Sequence, residues 1–277
     1  MRVLSLFDGI SVAQQALHEI GAPIEVYYAS EIDRHAMTVT MKNFPKTIQL
    51  GDVCKINSKN LKNIDLLIGG SPCQDLSQLK TYGQGLGGIY SGLFYEYIRV
   101  LRDIKPKYFV LENVNSMTAI NRATITKIIG VPPIMFDAAL VSAQSRRRLF
   151  WTNITGITKP IDKKIFIKDI VEDYVLPEDN SRKICKSAFS YVQQKKIKIC
   201  NYFGKNTCLT TQHKQRNCAG FIHDTIGLRG FTSIEYERLQ SLPDNYTEGI
   251  TDNQRYHAIG NAFNCAVVKH ILSFMEY

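Results

Sequence analysis

Along the first 150 residues the chain changes rhythm at regular intervals. Short apolar runs fall at Val3–Phe7, Glu25–Ser30, Thr47–Leu50, Asp65–Gly70, Tyr108–Glu112, Phe136–Val141 and Arg147–Thr152, each of a length that predicts a strand. Between them, apolar residues return every three or four positions over Val12–Ile20, Arg34–Asn43, Gly92–Ile104 and Arg122–Ile129, which predicts helices. Lys105–Pro106 ends the third of these, because proline has no N–H for a further helical turn. Strands alternating with helices predict an α/β fold, a doubly wound and mostly parallel sheet covered on both faces. Gln78–Ser91 carries Gly83, Gly85, Gly87 and Gly88, too many for a regular element and suited to a moving lid. After Trp151 the period fades, which predicts a smaller, irregular domain. Order returns at Thr232, where Thr-Ser-Ile-Glu has the form of a capping box opening a helix. There is no internal repeat and no low-complexity tract.

Charge sharpens this division. Lys and Arg number 34 against 25 Asp and Glu. Between Asp179 and Asp224 there is no acid, but there are nine bases: Arg182, Lys183, Lys186, Lys195, Lys196, Lys198, Lys205, Lys214 and Arg216. Without those nine the chain holds 25 bases and 25 acids, so the whole excess sits in one segment. Phe189, Tyr191, Tyr202 and Phe203 lie among them, with Gln193, Gln194, Asn201, Gln212, Gln215 and Asn217. Cations meet phosphates, while amides and aromatic rings read or stack on bases, so the segment is expected to bind nucleic acid. A merely solvated basic face is the plainer alternative.

Seven cysteines, an odd and scattered set, argue against a secreted disulfide framework and for a reducing, cytoplasmic setting. No apolar run approaches the ~20 residues of a membrane span, and the N-terminus lacks the form of a signal peptide.

The expected strand ends carry the chemistry. The first leads into Phe7-Asp8-Gly9-Ile10-Ser11, a tight turn before a helix, where a nucleotide-like cofactor meets such a sheet. The turn is not a GxGxxG fingerprint and does not specify a pyrophosphate. Glu31, 22 residues past Gly9, stands where an acid would hold ribose hydroxyls, and Asp52-Val53 puts a further carboxylate on the same edge. Together these fit an adenosine ligand without phosphates. The fourth strand runs into Gly69-Gly70-Ser71-Pro72-Cys73-Gln74, which makes Cys73 a candidate nucleophile, a buried structural cysteine being the alternative. The fifth ends in Glu112-Asn113-Val114, so an acid converges on the thiol. Gln144, Arg146, Arg147 and Arg148 follow, with alternate arginines on one face if the segment is extended.

These residues resemble the DNA cytosine-5 methyltransferases. FDGIS is similar to that family's first motif, GGSPCQ to its nucleophile motif, ENV to its acid motif and QSRRR to its QxRxR motif. Arg229-Gly-Phe-Thr-Ser-Ile-Glu235 with Arg238-Leu-Gln resembles the RxLTxxE…RLQ segment, and Gly260-Asn261-Ala262 the closing GN motif. The order is the family's, and the wording is similar to prokaryotic or phage members related to the animal de novo enzymes. The resemblance implies a Rossmann-like, S-adenosylmethionine-dependent catalytic domain over residues 1–153 and 252–277, with the last helix folding back onto it. A target-recognition domain would occupy 154–251.

It also implies roles. Cys73 would add to C6 of a flipped-out cytosine, Glu112 would protonate the ring at N3, and Arg146 and Arg148 would anchor the base. Phe7, Gly9, Ile10, Glu31, Ile32, Asp52, Val53, Pro72, Leu93 and Asn261 would surround S-adenosylmethionine. Where the family often has tryptophan after the ribose-binding acid, this chain has Ile32, so stacking on adenine becomes aliphatic packing. Gln74, Ser77 and the nine bases would contact duplex DNA. A monomer suffices for one flipped base, and the sequence does not imply a paired restriction endonuclease. The RNA-directed branch of the family is an alternative, but its Cys-Phe-Thr signature is absent, since Leu-Thr-Thr follows Cys208. A catalytically inactive DNA-binding homologue is another, opposed by the intact Cys73 and Glu112. Cys200, Cys208, His213, Cys218 and His223 have metal-ligand chemistry but no Cys-x2-Cys knuckle, so no metal is expected.

Overall fold

The computed structural model describes residues 1–72, 92–172, 199–209, 220–223 and 228–277. They form two compact units, one made of Met1–Phe136, Arg147–Lys159 and Val267–Tyr277, the other of Asp137–Arg146 and Pro160–Ala266. Residues 137–146 and 252–266, grouped with the catalytic domain on sequence grounds, thus cluster with the second unit.

The first unit is the expected sheet with its helices. β1 (Arg2–Leu6), β2 (Val26–Ser30), β3 (Ile48–Gln49), β4 (Leu66–Gly70), β5 (Tyr108–Val114), β6 (Ile134–Asp137) and β7 (Arg147–Thr152) lie in the order β3-β2-β1-β4-β5-β7-β6. The pairings from β3 across to β5 are parallel, and β7 runs antiparallel to β5. The chain travels outward from β1 to β3, then returns to β4 on the other flank of β1. That reversal makes the C-terminal ends of β1 and β4 the switch point where ligands of such sheets bind.

Both faces of the central strands are covered, so β1 and β4 read as near-continuous apolar runs. Leu4, Leu6, Leu67, Leu111, Leu149 and Trp151 join one core cluster with Phe94, Tyr97 and Ile98 of α3 (Leu93–Ile104) and Ile125 of α4 (Ala119–Ile129). Gly69 is required by this packing: a Cβ there would stand 2.6 Å from the Leu6 carbonyl oxygen. Lys105 takes a left-handed C-cap conformation before Pro106, ending α3 where the proline predicts. α1 (Val12–Glu19) and α2 (Arg34–Asn43) complete the expected set.

Three elements differ from expectation by two residues or more at an end. β5 continues past Glu112 to Val114 because β7 pairs with it that far. α4 starts at Ala119 rather than Arg122, since the Thr118 hydroxyl accepts a hydrogen bond from the Asn121 N–H and caps it. β6 stops at Asp137, whose carboxylate accepts from Ala139 N–H and opens a short 3-10 turn over 138–140. At the C-terminus, Lys269 pairs with Glu19 at 2.8 Å, and His270 Nε2 lies 2.7 Å from the Thr158 carbonyl oxygen, holding that segment in the first unit.

In the second unit, β8 (Phe221–His223) and β9 (Leu228–Gly230) form an antiparallel ladder, followed by α5 (Ser233–Leu239) and α6 (Asp252–Asn261). The capping box at Thr232 is present: Thr232 N–H donates to Glu235 at 2.8 Å, and Glu235 N–H donates to the Thr232 hydroxyl at 3.1 Å. α7 (Cys265–Leu272) begins in the second unit and ends in the first. No described helix is long and apolar enough to cross a membrane.

Candidate active site

The turn after β1 is set by three successive left-handed positions, Phe7 (φ 55°), Gly9 (φ 58°) and Ser11 (φ 56°). Gly9 meets nothing within 4 Å of where a Cβ would project, so the turn borders open space. Its N–H donates to Glu31 Oε2 at 2.8 Å, while Glu31 Oε1 accepts from Ile32 N–H at 2.7 Å and Asp33 N–H at 2.8 Å. Three backbone donors therefore fix one carboxylate at the switch point, with both acceptor sites of Oε1 used and one left on Oε2. Ile32 beside it is 74% exposed, an unusual state for a large aliphatic residue at a strand edge. Asp52 caps the short 3-10 turn over 53–55 by accepting from Cys54 N–H at 3.0 Å. Ile10 and Val53, expected to touch a cofactor, have buried side chains and could offer only their backbone. Pro72 closes the segment after β4, and Leu93 opens α3.

Cys73, Gln74, Ser77 and the Gly-rich Gln78–Ser91 stretch lie outside the described residues. What flanks them is ordered by β5. Glu112, paired across the sheet with Gly70, forms an ion pair with Arg148 of β7, Oε1 to Nε at 3.0 Å. Both side chains are mostly buried, which strengthens the charge–charge attraction and fixes the carboxyl group in orientation. The buried Asn113 amide donates to Ser71 at its carbonyl (3.3 Å) and hydroxyl (3.1 Å), tying β5 to the residues just before Cys73. Asn113 was no candidate in the sequence; its place between Glu112 and Val114, at the end of a readable strand, was the available signal.

Arg146 is placed differently from Arg148. It belongs to the second unit, is buried, and donates to the carbonyl oxygens of Leu209 (3.1 Å), Gly260 (3.3 Å) and Ala262 (2.9 Å). These bonds pin two chain segments together, a structural task that the motif alone does not reveal. Gln144 works beside it: its amide donates to Leu239 and Gln240, both at 3.1 Å, and accepts from Leu209 N–H at 2.9 Å. Alternation along a strand does not hold for these arginines, because β7 starts only at Arg147. Asn261 ends α6 in the second unit and is exposed.

Of the nine expected DNA-contacting bases, Arg182, Lys183, Lys186, Lys195, Lys196, Lys198, Lys214 and Arg216 lie outside the described residues. Lys205 is described, and its ammonium donates to the carbonyls of Ser142 and Ile165 and sits 5.0 Å from the Phe166 ring centre. Burial lowers its pKa, with Asp162, Asp169 and Asp137 acting against the shift. Lys205 thus braces the fold with two of its three N–H donors. His213 and Cys218 also lie outside the described residues; Cys200 is buried with its thiol 3.7 Å from Asn206 Oδ1, and Cys208 lies 3.3 Å from Arg146. Among the described residues no three His, Cys, Asp or Glu gather as a metal site.

With this geometry established, known proteins supply a frame. The family model for the C-5 cytosine-specific DNA methylases matches residues 1–131 and 140–276. The orphan methyltransferase M.Rho11sI of Bacillus phage rho11s is 41% identical over 119 residues, 42% of this chain but only 24% of that protein, so the chain matches about a quarter of this relative's length. The type II methyltransferase M.NgoPII of Neisseria gonorrhoeae is 26% identical over 318 residues, covering 95% of this chain and 91% of that one. Among solved structures, the Entamoeba histolytica methyltransferase EhMeth superposes with a TM-score of 0.81 over 99% of this chain and 97% of its own, at 18% identity, a likeness of fold.

Proposed function

The chain belongs to the C-5 cytosine-specific DNA methylase family, and from that membership we propose that it transfers a methyl group from S-adenosylmethionine to C5 of a cytosine flipped out of duplex DNA. The observation that carries this reading is the Glu112–Arg148 ion pair at 3.0 Å, set beside the β4 end that leads into Cys73. An acid held by an arginine, next to the chain that carries a thiol, is the arrangement that addition to a pyrimidine ring demands.

The cofactor edge fits an adenosine. Glu31, oriented by three N–H groups, has one acceptor site left on Oε2 for a ribose hydroxyl; the exposed Ile32 offers an apolar surface for adenine; and the open space beside Gly9 leaves room for the ligand's approach. Phe7, Asp52, Pro72 and Leu93 complete that lining, with Ile10 and Val53 contributing backbone and Asn261 assigned to it by the family motif. When bound, S-adenosylmethionine supplies an electrophilic methyl group. The protein's own residues do the rest. The Cys73 thiolate bonds to C6 of cytosine as Glu112 delivers a proton at N3, which makes C5 nucleophilic. After C5 gains its methyl, the C5 proton passes to water, the C6–S bond breaks to release the Cys73 thiolate and Glu112 takes back the N3 proton, which restores the aromatic ring. Arg148 orients Glu112 throughout. Flipping the target base costs a few kcal/mol of stacking and pairing.

In this reading residues 154–251 hold the target-recognition function, and Gln74, Ser77 and the bases of 182–216 contact DNA. Lys205 gives two of its three N–H donors to carbonyls, which leaves one for a phosphate. The protein works as a monomer in the cytoplasm of a prokaryotic or phage-infected cell. The test is transfer of labelled methyl groups to unmethylated duplex DNA, with transfer RNA in parallel and Cys73→Ala as control. Label at cytosine C5 of duplex DNA, lost in the variant, is expected. Label on transfer RNA alone overturns the DNA reading, and no label on either leaves an inactive homologue.

A further inference from the structure

Asp8 lies in the middle of the 7–11 turn, and the reaction above gives it no task. Its side chain is buried, at 6% exposure, and it meets hydroxyl groups rather than a cation. Ser11 Oγ donates to Oδ2, and the Tyr27 hydroxyl donates to Oδ1 at 2.8 Å. The buried Ser5 hydroxyl faces the same carboxylate from β1 with no hydrogen-bond partner, and Glu31 is the charged group nearby. From α2, Thr40 donates to Ser11 Oγ at 3.1 Å.

Two features show that this network shapes the turn. Ser11 is the N-cap of α1, a position where serine ordinarily accepts from the helix's first N–H groups, yet it makes no such bond. Its hydroxyl proton goes to Asp8 instead. In addition, Phe7 and Ser11 hold left-handed conformations that L residues avoid, on either side of Asp8 and Gly9. A strained turn persists only where its surroundings over-determine it, and Asp8 is the group that ties it to β2 and to the start of α1.

We propose that Asp8 is a positioning residue for the cofactor: its ionised carboxylate, anchored by Tyr27 and Ser11, holds the 7–11 turn in the form that lets Gly9 and Glu31 present a ribose-binding edge. The inference rests on the reading of this turn as the S-adenosylmethionine site. Burial raises the Asp8 pKa to about 6, against the opposing pull of the Ser11, Ser5 and Tyr27 hydroxyls, with Glu31 adding to the rise. The group therefore changes charge just below neutrality. Once protonated it must donate its own proton, and it can no longer accept from both hydroxyls in the same way, because Ser11 Oγ already accepts from Thr40.

The test is calorimetric titration of the full chain with S-adenosylmethionine from pH 5.5 to 8.0, for wild type, Asp8→Asn and Tyr27→Phe, each checked for folding by circular dichroism. If only the ionised form binds, wild-type affinity falls about fourfold from pH 7.5 to 5.5, the drop in ionised fraction of a group titrating near 6. Asp8→Asn mimics the neutral acid, so it is expected to bind more weakly than wild type does even at pH 5.5, and with a flat pH profile. Tyr27→Phe removes a donor to the ionised form, so its midpoint is expected to move to higher pH. Wild-type affinity in Asp8→Asn at pH 7.5, or an unchanged pH profile in that variant, overturns the inference and leaves the cofactor site standing. Should Asp8→Asn fail to fold, an unmoved midpoint in Tyr27→Phe overturns it equally. Absence of binding by wild type at every pH overturns the site assignment itself, and this inference with it.

Discussion

In the first unit the interior of the sheet is hydrocarbon: Leu4, Leu6, Leu66, Leu67, Ile68 and Leu111 are fully buried, and polar groups gather at the strand ends. The second unit buries charges. Arg229 and Glu235 form a paired contact, two bonds of 2.7 Å, with neither side chain more than 3% exposed. Glu237, wholly buried, accepts from Arg255 at 3.0 Å and from the N–H groups of Asn245 and Thr247. Arg146 and Gln144 complete the framework from one short segment. The difference follows from secondary structure. A parallel sheet pairs its own backbone groups and needs side chains only to fill space. Irregular chain leaves many N–H and C=O groups unpaired, and buried side chains must satisfy them. The two units should accordingly fail in different ways.

The largest effect is expected from Glu235→Ala, which strands Arg229 as an unpaired buried charge and removes acceptors for the Thr232 and Glu172 N–H groups. Loss of one partner of such a pair costs about 3–5 kcal/mol. Amide hydrogen exchange should show 228–239 losing protection while β1 and β4 keep theirs; equal loss in both would break the contrast. Gly69→Ala probes the opposite principle. Its Cβ would press on the Leu6 carbonyl, and overpacking of this kind costs about 1–3 kcal/mol, readable as a fall in Tm with exchange rising across the central strands.

The smallest shift should have the other sign. With its pKa raised to about 6, Asp8 keeps its proton in the folded state at pH values where the unfolded chain has lost it. Folding therefore loses stability as pH rises from about 4 through 6, and above that window the ionised carboxylate is a standing cost. Asp8→Asn is expected to stabilise the protein by about 1–2 kcal/mol at pH 7.5, and by progressively less as pH falls toward 4. A denaturant midpoint series at several pH values would check it. Greater stability joined to weaker cofactor binding would mark Asp8 as a residue kept for function, at odds with the apolar economy of its own unit.

Much of the first unit was legible because its signals are local. The apolar runs at β1 and β4, the periodic helices and Lys105–Pro106 depend on neighbours within a few residues, and the alternation of strand and helix restricts the topology. Glu31 and Glu112 were legible for the same reason, each following or belonging to a readable strand. Asn113 and Asp8 were not, because what distinguishes them is a partner elsewhere: Ser71 for one, Tyr27 from the next strand for the other. The basic segment shows what composition leaves out for a single residue. Lys205 shares the charge of its neighbours but is turned inward onto two carbonyls.

The sequence by itself determined the element order, the switch point, the carboxylates on its edge and membership in a family of cytosine methylases. Those features are written in short-range pattern and in ordered motifs. Tertiary structure alone decided which of two arginines, two residues apart, stands beside the acid. Arg148 enters a strand that pairs with β5 and meets Glu112, whereas Arg146 stops just short of that strand and is bound by the carbonyls of Leu209, Gly260 and Ala262. The motif specifies two guanidinium groups; where each one goes depends on which unpaired backbone oxygens the distant chain brings within reach.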